Sequence, residues 1–149
     1  MSKRSTVVVS FLAAALLAAC AGDGPPAGSE LTWFEEIQRD TFDQSCISGA
    51  CHDSATRAGN LSLVAGESYD QLVNIEPENP AAREAGLLRV EPFSSTNSFL
   101  VNKLTGDLEP AEGAQMPLGA GQLPAEEIAY VIEWIDQTGA SETAPPPAN

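Results

Sequence analysis

Apolar residues at helical spacing predict a first helix from Thr32 to about Gln44. Its apolar face consists of four residues, namely Trp33, Phe34, Ile37 and Phe42. Thr32 and Glu35 have the spacing of a capping box, in which each side chain binds a backbone N–H group that the first turn leaves free. The helix leads directly into the stretch SCISGACHD, which begins at Ser45.

The clearest helical pattern lies near the C-terminus, from Pro124 to Thr138. Its apolar side is formed by Ile128, Val131, Ile132 and Ile135. Proline suits a first helical turn, and the two glutamates that follow suit the positive end of the helix dipole. Gly139 is a typical helix stop.

Between these helices the pattern predicts short elements joined by long loops. Short helices are expected at residues 68–74, where Ser68 and Gln71 form a second capping pair, and at residues 95–104. The stretch GLLRVEPF predicts a short strand or an extended segment. The remaining stretches, 54–66, 76–80 and 106–123, are expected to be loops. The fold class is therefore mostly α with long loops, which are uncommon in a compact domain unless something else orders them.

Residues 1–19 have the layout of a signal peptide. Lys3 and Arg4 are followed by an apolar run that is too short to span a bilayer, and small residues lead to Cys20. The sequence LAAC resembles a bacterial lipobox, in which the cysteine is lipidated and becomes the mature N-terminus. An ordinary signal-peptide cleavage site is the alternative. Residues 20–29 are predicted to be a flexible linker, since glycine, proline and aspartate bury little apolar surface.

Residues 30–140 are left as the one folded domain. A chain segment of roughly 110 residues is long enough for a single modest hydrophobic core. Residues 141–149 are rich in proline and are predicted to be a disordered tail.

The chain is strongly acidic, with a formal net charge of −14. Removal of Lys3 and Arg4 with the signal peptide leaves five basic residues against twenty-one acidic ones, a net charge of −16. Such a surface repels nucleic acid and anionic lipid headgroups, and it suits docking to a basic protein partner. Solubility alone is an equally good interpretation of the charge.

Candidate chemistry is concentrated at Cys46, Cys51 and His52. Four residues separate the cysteines, and the histidine follows the second cysteine directly. The thiols of exported proteins are normally bonded covalently, either to another cysteine or to a cofactor. A Cys46–Cys51 disulfide that closes a small loop is therefore one interpretation. A zinc site with Asp53 as fourth ligand is another, although the spacing is poor. Covalent haem attachment is the third, because a histidine directly after the second cysteine is typical of c-type haem sites.

The numbers of histidine and methionine residues favour haem. His52 is the only histidine of the chain, and Met116 is the only methionine after the initiator. A six-coordinate haem commonly takes one of each. Met116 lies in the loop GAQMPLG, where Pro117 stiffens the backbone.

Three motifs in this order resemble class I cytochromes c, in particular the small haem-binding modules of exported bacterial proteins. They are a helix leading into CISGACH, the loop QMPLG, and the terminal LPAEEIAYVIEWI. The resemblance covers roughly residues 31–140, although residues 53–115 match no part of the simplest family members. It implies a cytochrome c-like fold around one haem c. It also implies covalent attachment at Cys46 and Cys51, His52 as proximal ligand and Met116 as distal ligand. The spacing of the cysteines departs from the usual two residues.

Two further cations lie near the predicted haem loops. Arg89 and Lys103 either pair with haem propionates or form surface salt bridges of little energetic value. Trp134 either donates a hydrogen bond to a propionate or packs in the core, and packing is the stronger expectation.

Together these features predict a lipid-anchored electron carrier of the bacterial envelope rather than an enzyme. Ala21 and Gly22, rather than aspartate, follow Cys20. By resemblance to the lipoprotein sorting rules of enteric bacteria, this implies the outer membrane, with the domain facing the periplasm or the exterior. A disulfide-stapled acidic lipoprotein without haem, acting as a binding or envelope-structural module, is the alternative. A haem enzyme of peroxidase type is expected only if Met116 is not a ligand.

Overall fold

The computed structural model describes residues 31–49 and 51–148. Within these ranges the chain is mostly helical, with isolated β-bridges and no strand. The predicted signal peptide, the linker and Cys20 lie outside the described residues. No helix in the described part is long and apolar enough to cross a membrane.

The first helical rod is built from three consecutive segments. Helix α1 (Trp33–Ile37) continues into a π-helical turn (Gln38–Phe42) and then into α2 (Asp43–Ser45). The predicted capping box is confirmed, since the Thr32 N–H donates to Glu35 Oε2 at 2.7 Å and the Glu35 N–H donates to Thr32 Oγ1 at 3.2 Å. The rod therefore runs, as predicted, up to the cysteine motif. Its π-helical turn is of a kind often found near functional sites.

The short elements of the middle segment only partly follow the sequence pattern. They are α3 (Ser68–Leu72), α4 (Pro80–Glu84), α5 (Phe99–Thr105) and the 3₁₀ turns Ala58–Asn60 and Ser95–Asn97. Helix α4 was not predicted, although Asn79 caps it by accepting from the Ala82 N–H at 2.9 Å. The extended interpretation of GLLRVEPF is confirmed, because single parallel bridges join Val90 to Val73 and Leu88 to Ser98.

The predicted capping pair of Ser68 and Gln71 is wrong. The Ser68 hydroxyl donates to Gln38 Oε1 at 2.5 Å, and Gln71 Oε1 accepts from the Ser62 N–H at 2.8 Å. Both side chains thus join α3 to distant parts of the chain, which the sequence pattern could not indicate.

Helix α6 (Ala125–Thr138) is the long terminal helix, with Pro124 as its N-cap. Gly139 ends it with a positive φ of 64°, as the glycine stop predicted. The helix packs against α1 and α5. Fully buried Trp134 lies with its ring centroid 5.2 Å from that of Phe34. This crossing of first and last helices forms the centre of the core.

The chain beyond α6 returns to this core. The Trp134 indole N–H donates to the Ser141 carbonyl at 2.8 Å, and the Trp33 backbone N–H donates to the Ala144 carbonyl at 2.9 Å. The segment predicted as a disordered tail from residue 141 is therefore attached to the domain as far as Ala144. Its carbonyl groups serve as acceptors for the two tryptophans, a role that its composition does not show.

Candidate cofactor cavity

A largely apolar cavity of about 530 Å³ lies beside the first helical rod. Its volume falls within the range of roughly 300–1,000 Å³ that is usual for small-molecule and cofactor sites. Three residues of the predicted site line it, namely Cys46, His52 and Met116. Most of the remaining wall is hydrophobic and includes Phe42, Leu61, Leu63, Leu72, Phe99 and Leu104.

The loop between the two cysteines is closed by the backbone. The Cys46 N–H donates to the Phe42 carbonyl at 2.9 Å, so Cys46 continues from the helical rod. The His52 N–H then donates to the Cys46 carbonyl at 3.0 Å. Ser48 and Gly49 are exposed, and Gly49 has a positive φ of 51°. The residues in excess of the usual spacing therefore bulge into solvent while Cys46 and His52 stay together.

His52 is held in one orientation by the segment that follows it. Its Nδ1 lies 3.3 Å from the Leu61 carbonyl oxygen, and its own carbonyl accepts from the Leu63 N–H at 2.8 Å. Because a carbonyl can only accept, this contact requires a proton on Nδ1, and in the neutral imidazole Nε2 then keeps its lone pair. A backbone carbonyl on the second ring nitrogen is the usual arrangement of a metal-ligating histidine.

The Cys46 thiol is half-buried, and Cys51 is half-buried beside the cavity rather than in its wall. The two thiols are not joined to each other. Burial first, and then electrostatic interaction with Cys51 and Glu127, raise the pKa of Cys46 to about 12.

Asp53, the fourth ligand of the zinc interpretation, is engaged in a turn. Its Oδ1 accepts from the Ala55 N–H at 2.7 Å and the Thr56 N–H at 2.6 Å, and these bonds lower its pKa. Over residues 31–49 and 51–148, no group of three or more His, Cys, Asp or Glu side chains is arranged to hold a metal ion. The zinc interpretation is therefore not supported.

Met116 reaches the same cavity from a different loop. Its N–H donates to the Lys103 carbonyl at 2.8 Å, which ties it to α5, and the Met116–Pro117 peptide bond is cis. Leu118, two residues on, also lines the cavity but is 69% exposed, so it marks the cavity mouth.

Arg89 and Lys103 both line the cavity, and both bind backbone carbonyls. Arg89 donates to Gln71 at 2.9 Å and to Gly59 and Asn60 at 3.2 Å each. The side-chain ion pairs of the described residues are Arg39–Asp40 and Arg57–Glu67, so the surface salt-bridge interpretation is wrong for both cavity cations. Burial lowers the pKa of each.

Trp134 does not line the cavity, since its ring is in the core and its N–H donates to Ser141. The packing interpretation is therefore confirmed. Sequence reasoning missed the Leu61 carbonyl and the carbonyls around Arg89 and Lys103. Every residue has a backbone carbonyl whatever its side chain, so no sequence pattern could have indicated which carbonyls act as acceptors.

Comparison of the chain with family models, with curated proteins and with solved structures gave no match.

Proposed function

We propose that this chain is a monohaem c-type cytochrome that transfers single electrons in the bacterial envelope. In this proposal the helices and long loops are a cytochrome c-like domain. Cys46 and Cys51 would hold haem c covalently, and His52 and Met116 would ligate its iron. A bound haem supplies a reversible one-electron change at iron, and the chain supplies its attachment, ligation and surroundings.

One observation carries the proposal. The only histidine of the chain and the only methionine after the initiator line one apolar cavity, although they are far apart in sequence. An imidazole and a thioether in one hydrophobic cavity are the pair that a six-coordinate haem takes.

The surroundings of His52 fit this role. With Nδ1 donating to Leu61, Nε2 is available to a metal ion, and the ring is prevented from turning away. Cys46 lines the same cavity, and its thiol is not engaged in a disulfide. The largely apolar wall would limit the access of water to a haem iron held there, which favours electron transfer over reaction with solvent.

Ligation by both His52 and Met116 leaves no open position on the iron. An electron carrier is therefore proposed rather than an enzyme, and a peroxidase-type activity is expected only where Met116 does not bind. His/Met ligation also raises the reduction potential relative to other haem ligand sets.

The remaining parts of the proposal concern location and partner. Lipidation of Cys20 anchors the protein, most simply at the outer membrane, and the linker lets the domain reach partners in the periplasm or outside the cell. The acidic surface suits a redox protein with a basic docking face and does not suit nucleic acid.

The proposal is tested by expressing the full chain in a bacterium that matures c-type cytochromes. A pyridine haemochrome spectrum and a reduced-minus-oxidised difference spectrum are then recorded. We expect one c-type haem per chain. The double variant Cys46→Ser/Cys51→Ser is expected to lose it, whereas Cys20→Ser keeps it. A colourless protein without free thiols contradicts the proposal and favours the disulfide-stapled lipoprotein.

A further inference from the structure

The side chain of Lys103 ends inside a loop of backbone carbonyls. Its Nζ donates to the Glu112 carbonyl at 2.7 Å and to the Ala114 carbonyl at 3.0 Å. An ammonium group has three donors, so two of them are used on this one loop. The loop leads directly to Met116, the proposed distal ligand.

Two more bonds join this loop to α5. The Met116 N–H donates to the Lys103 carbonyl at 2.8 Å, and the Gln115 side-chain N–H donates to the Leu104 carbonyl at 3.0 Å. Backbone and side chain of Lys103 therefore bind the loop on both sides of Gln115. Of the side-chain hydrogen bonds that join this loop to α5, Lys103 supplies two and Gln115 supplies one.

Gly113 shows how closely the loop surrounds the ammonium. It has a positive φ of 89°, and a Cβ added to it would lie 3.2 Å from Lys103 Nζ. A side chain at this position is therefore strained by the backbone and crowded by the lysine. The glycine allows the carbonyls on either side of it to face one cation.

Carbonyl groups provide the hydrogen bonds that hold this cation. The Glu112 carboxylate is buried nearby, but its Oε2 accepts from the Glu109 N–H at 2.9 Å. Lys103 Nζ also lies 5.1 Å from the centroid of the Phe99 ring, within the range of a cation–π contact. Lys103 is half-buried, so its ammonium gives up part of its hydration, and its bonds to the loop carbonyls replace that hydration.

We infer that Lys103 is the positioning residue of Met116, holding the loop 112–116 so that the thioether faces the cavity. The inference rests on the proposed function, since the role of Met116 as iron ligand comes from there. Two of the three Lys103 Nζ–H groups donate to carbonyls of the loop, so only the third is available to a ligand in the cavity.

The test compares Lys103→Leu, which removes the donors, with Lys103→Arg, which restores cation and donors. Arg83→Leu, on the exposed residue of α4, is the control for lost charge. Two quantities are measured on the full-length haem-loaded protein: hydrogen exchange of the Met116 amide, and the affinity of the ferric protein for imidazole, which competes with Met116.

For Lys103→Leu we expect both the exchange rate and the imidazole affinity to rise by about tenfold or more, because the variant loses two hydrogen bonds, each worth up to roughly tenfold. Lys103→Arg is expected to recover part of the change, and Arg83→Leu to match the wild type. Wild-type values in Lys103→Leu overturn the inference. If Lys103→Leu does not fold, Gly113→Ala is measured instead, because its added methyl group crowds the same contact. Gly113→Ala is expected to raise both the exchange rate and the imidazole affinity. Wild-type values in Gly113→Ala overturn the inference equally.

The two proposals fail in different ways. A wild-type protein without haem contradicts the proposed function, and Met116 amide exchange then still shows whether Lys103 holds the loop. A haem protein with Met116 bound but insensitive to Lys103→Leu leaves the function intact and removes the positioning role.

Discussion

The Nδ1 atom of His52 lies 3.3 Å from the carbonyl oxygen of Leu61. This bond fixes the ring by a group from a neighbouring loop rather than by another side chain. The loop is itself tied down, because Arg89 donates to the carbonyls of Gly59 and Asn60 just before Leu61. The histidine is thus oriented by backbone that a buried cation holds in place.

Replacement of His52 by alanine is expected to remove the proximal ligand and to leave an empty space at the cavity wall. Added imidazole should enter that space and restore the low-spin spectrum, because it supplies the same nitrogen. The measurement is a titration of haem-loaded His52→Ala with imidazole, followed by visible absorption. An alanine variant with the wild-type spectrum before any imidazole is added contradicts the role of His52.

Replacement of Met116 by alanine is expected to open one iron position. The reduction potential should fall by tens to hundreds of millivolts, since axial-ligand identity moves haem potentials over a range of about 0.8 V. Leu118→Ala is the matched control, because Leu118 lines the same cavity but is 69% exposed at its mouth. A redox titration in which both variants keep the wild-type potential argues against Met116 as ligand.

Trp134 is the largest fully buried side chain of the described residues, and its N–H is paired with Ser141. Trp134→Ala should lower the free energy of unfolding by about 3–5 kcal/mol, the usual cost of removing a large core aromatic. Urea unfolding followed by circular dichroism measures this loss. Trp134→Phe keeps most of the packing and should cost less, and equal losses in the two variants would show that the volume of the side chain is not what matters.

Gly139 ends α6 with a φ of 64°, and a Cβ added there would lie 2.4 Å from the ring of Phe93. Gly139→Ala should therefore destabilise the fold by about 1–2 kcal/mol from backbone strain, with a further cost from the clash. Phe93 is 70% exposed, so Phe93→Ala alone should cost little. In thermal unfolding the double variant should be less destabilised than the sum of the single variants. Simple additivity would mean that the ring moves aside freely.

The Tyr130 hydroxyl donates to the Glu36 carboxylate. Burial first, and then the carboxylate, raise the pKa of Tyr130 above its ordinary value of 10.0. The folded protein thus favours the neutral phenol, so this stabilisation is complete below pH 10 and is lost as the pH rises beyond it. Free energies of unfolding between pH 8 and about 11 should fall less steeply in Tyr130→Phe than in the wild type. If the free energies of unfolding of the variant and the wild type fall equally steeply with pH, the raised pKa of Tyr130 is contradicted.

Sequence pattern was sufficient where local rules decide the structure. The capping box of Thr32 and Glu35, the glycine stop at Gly139 and the burial of Trp134 all follow from spacing and residue type, and all three are confirmed. It was insufficient where a polar side chain has a distant partner. Ser68 and Gln71 fit a capping pair by spacing, yet their partners Gln38 and Ser62 lie in other segments.

The same distinction holds for the candidate site. Residue types and their counts predicted Cys46, Cys51, His52 and Met116, and the structure brings three of these four into the wall of one cavity. The supports of the site are backbone carbonyls, at Leu61 for the histidine and at Glu112 and Ala114 for Lys103. Every residue has a carbonyl, so only three-dimensional structure can show which ones are used.

The most direct test of the central claim is the mass of one peptide. Trypsin cuts after Arg39 and Arg57, and the peptide between them carries Cys46, Cys51 and His52. Digestion of the mature protein without reductant, followed by mass spectrometry, is expected to give this peptide with the added mass of one haem. A peptide lighter by two hydrogens would show a disulfide, and a peptide of unmodified mass would show free thiols. Either of these results contradicts a covalently held haem.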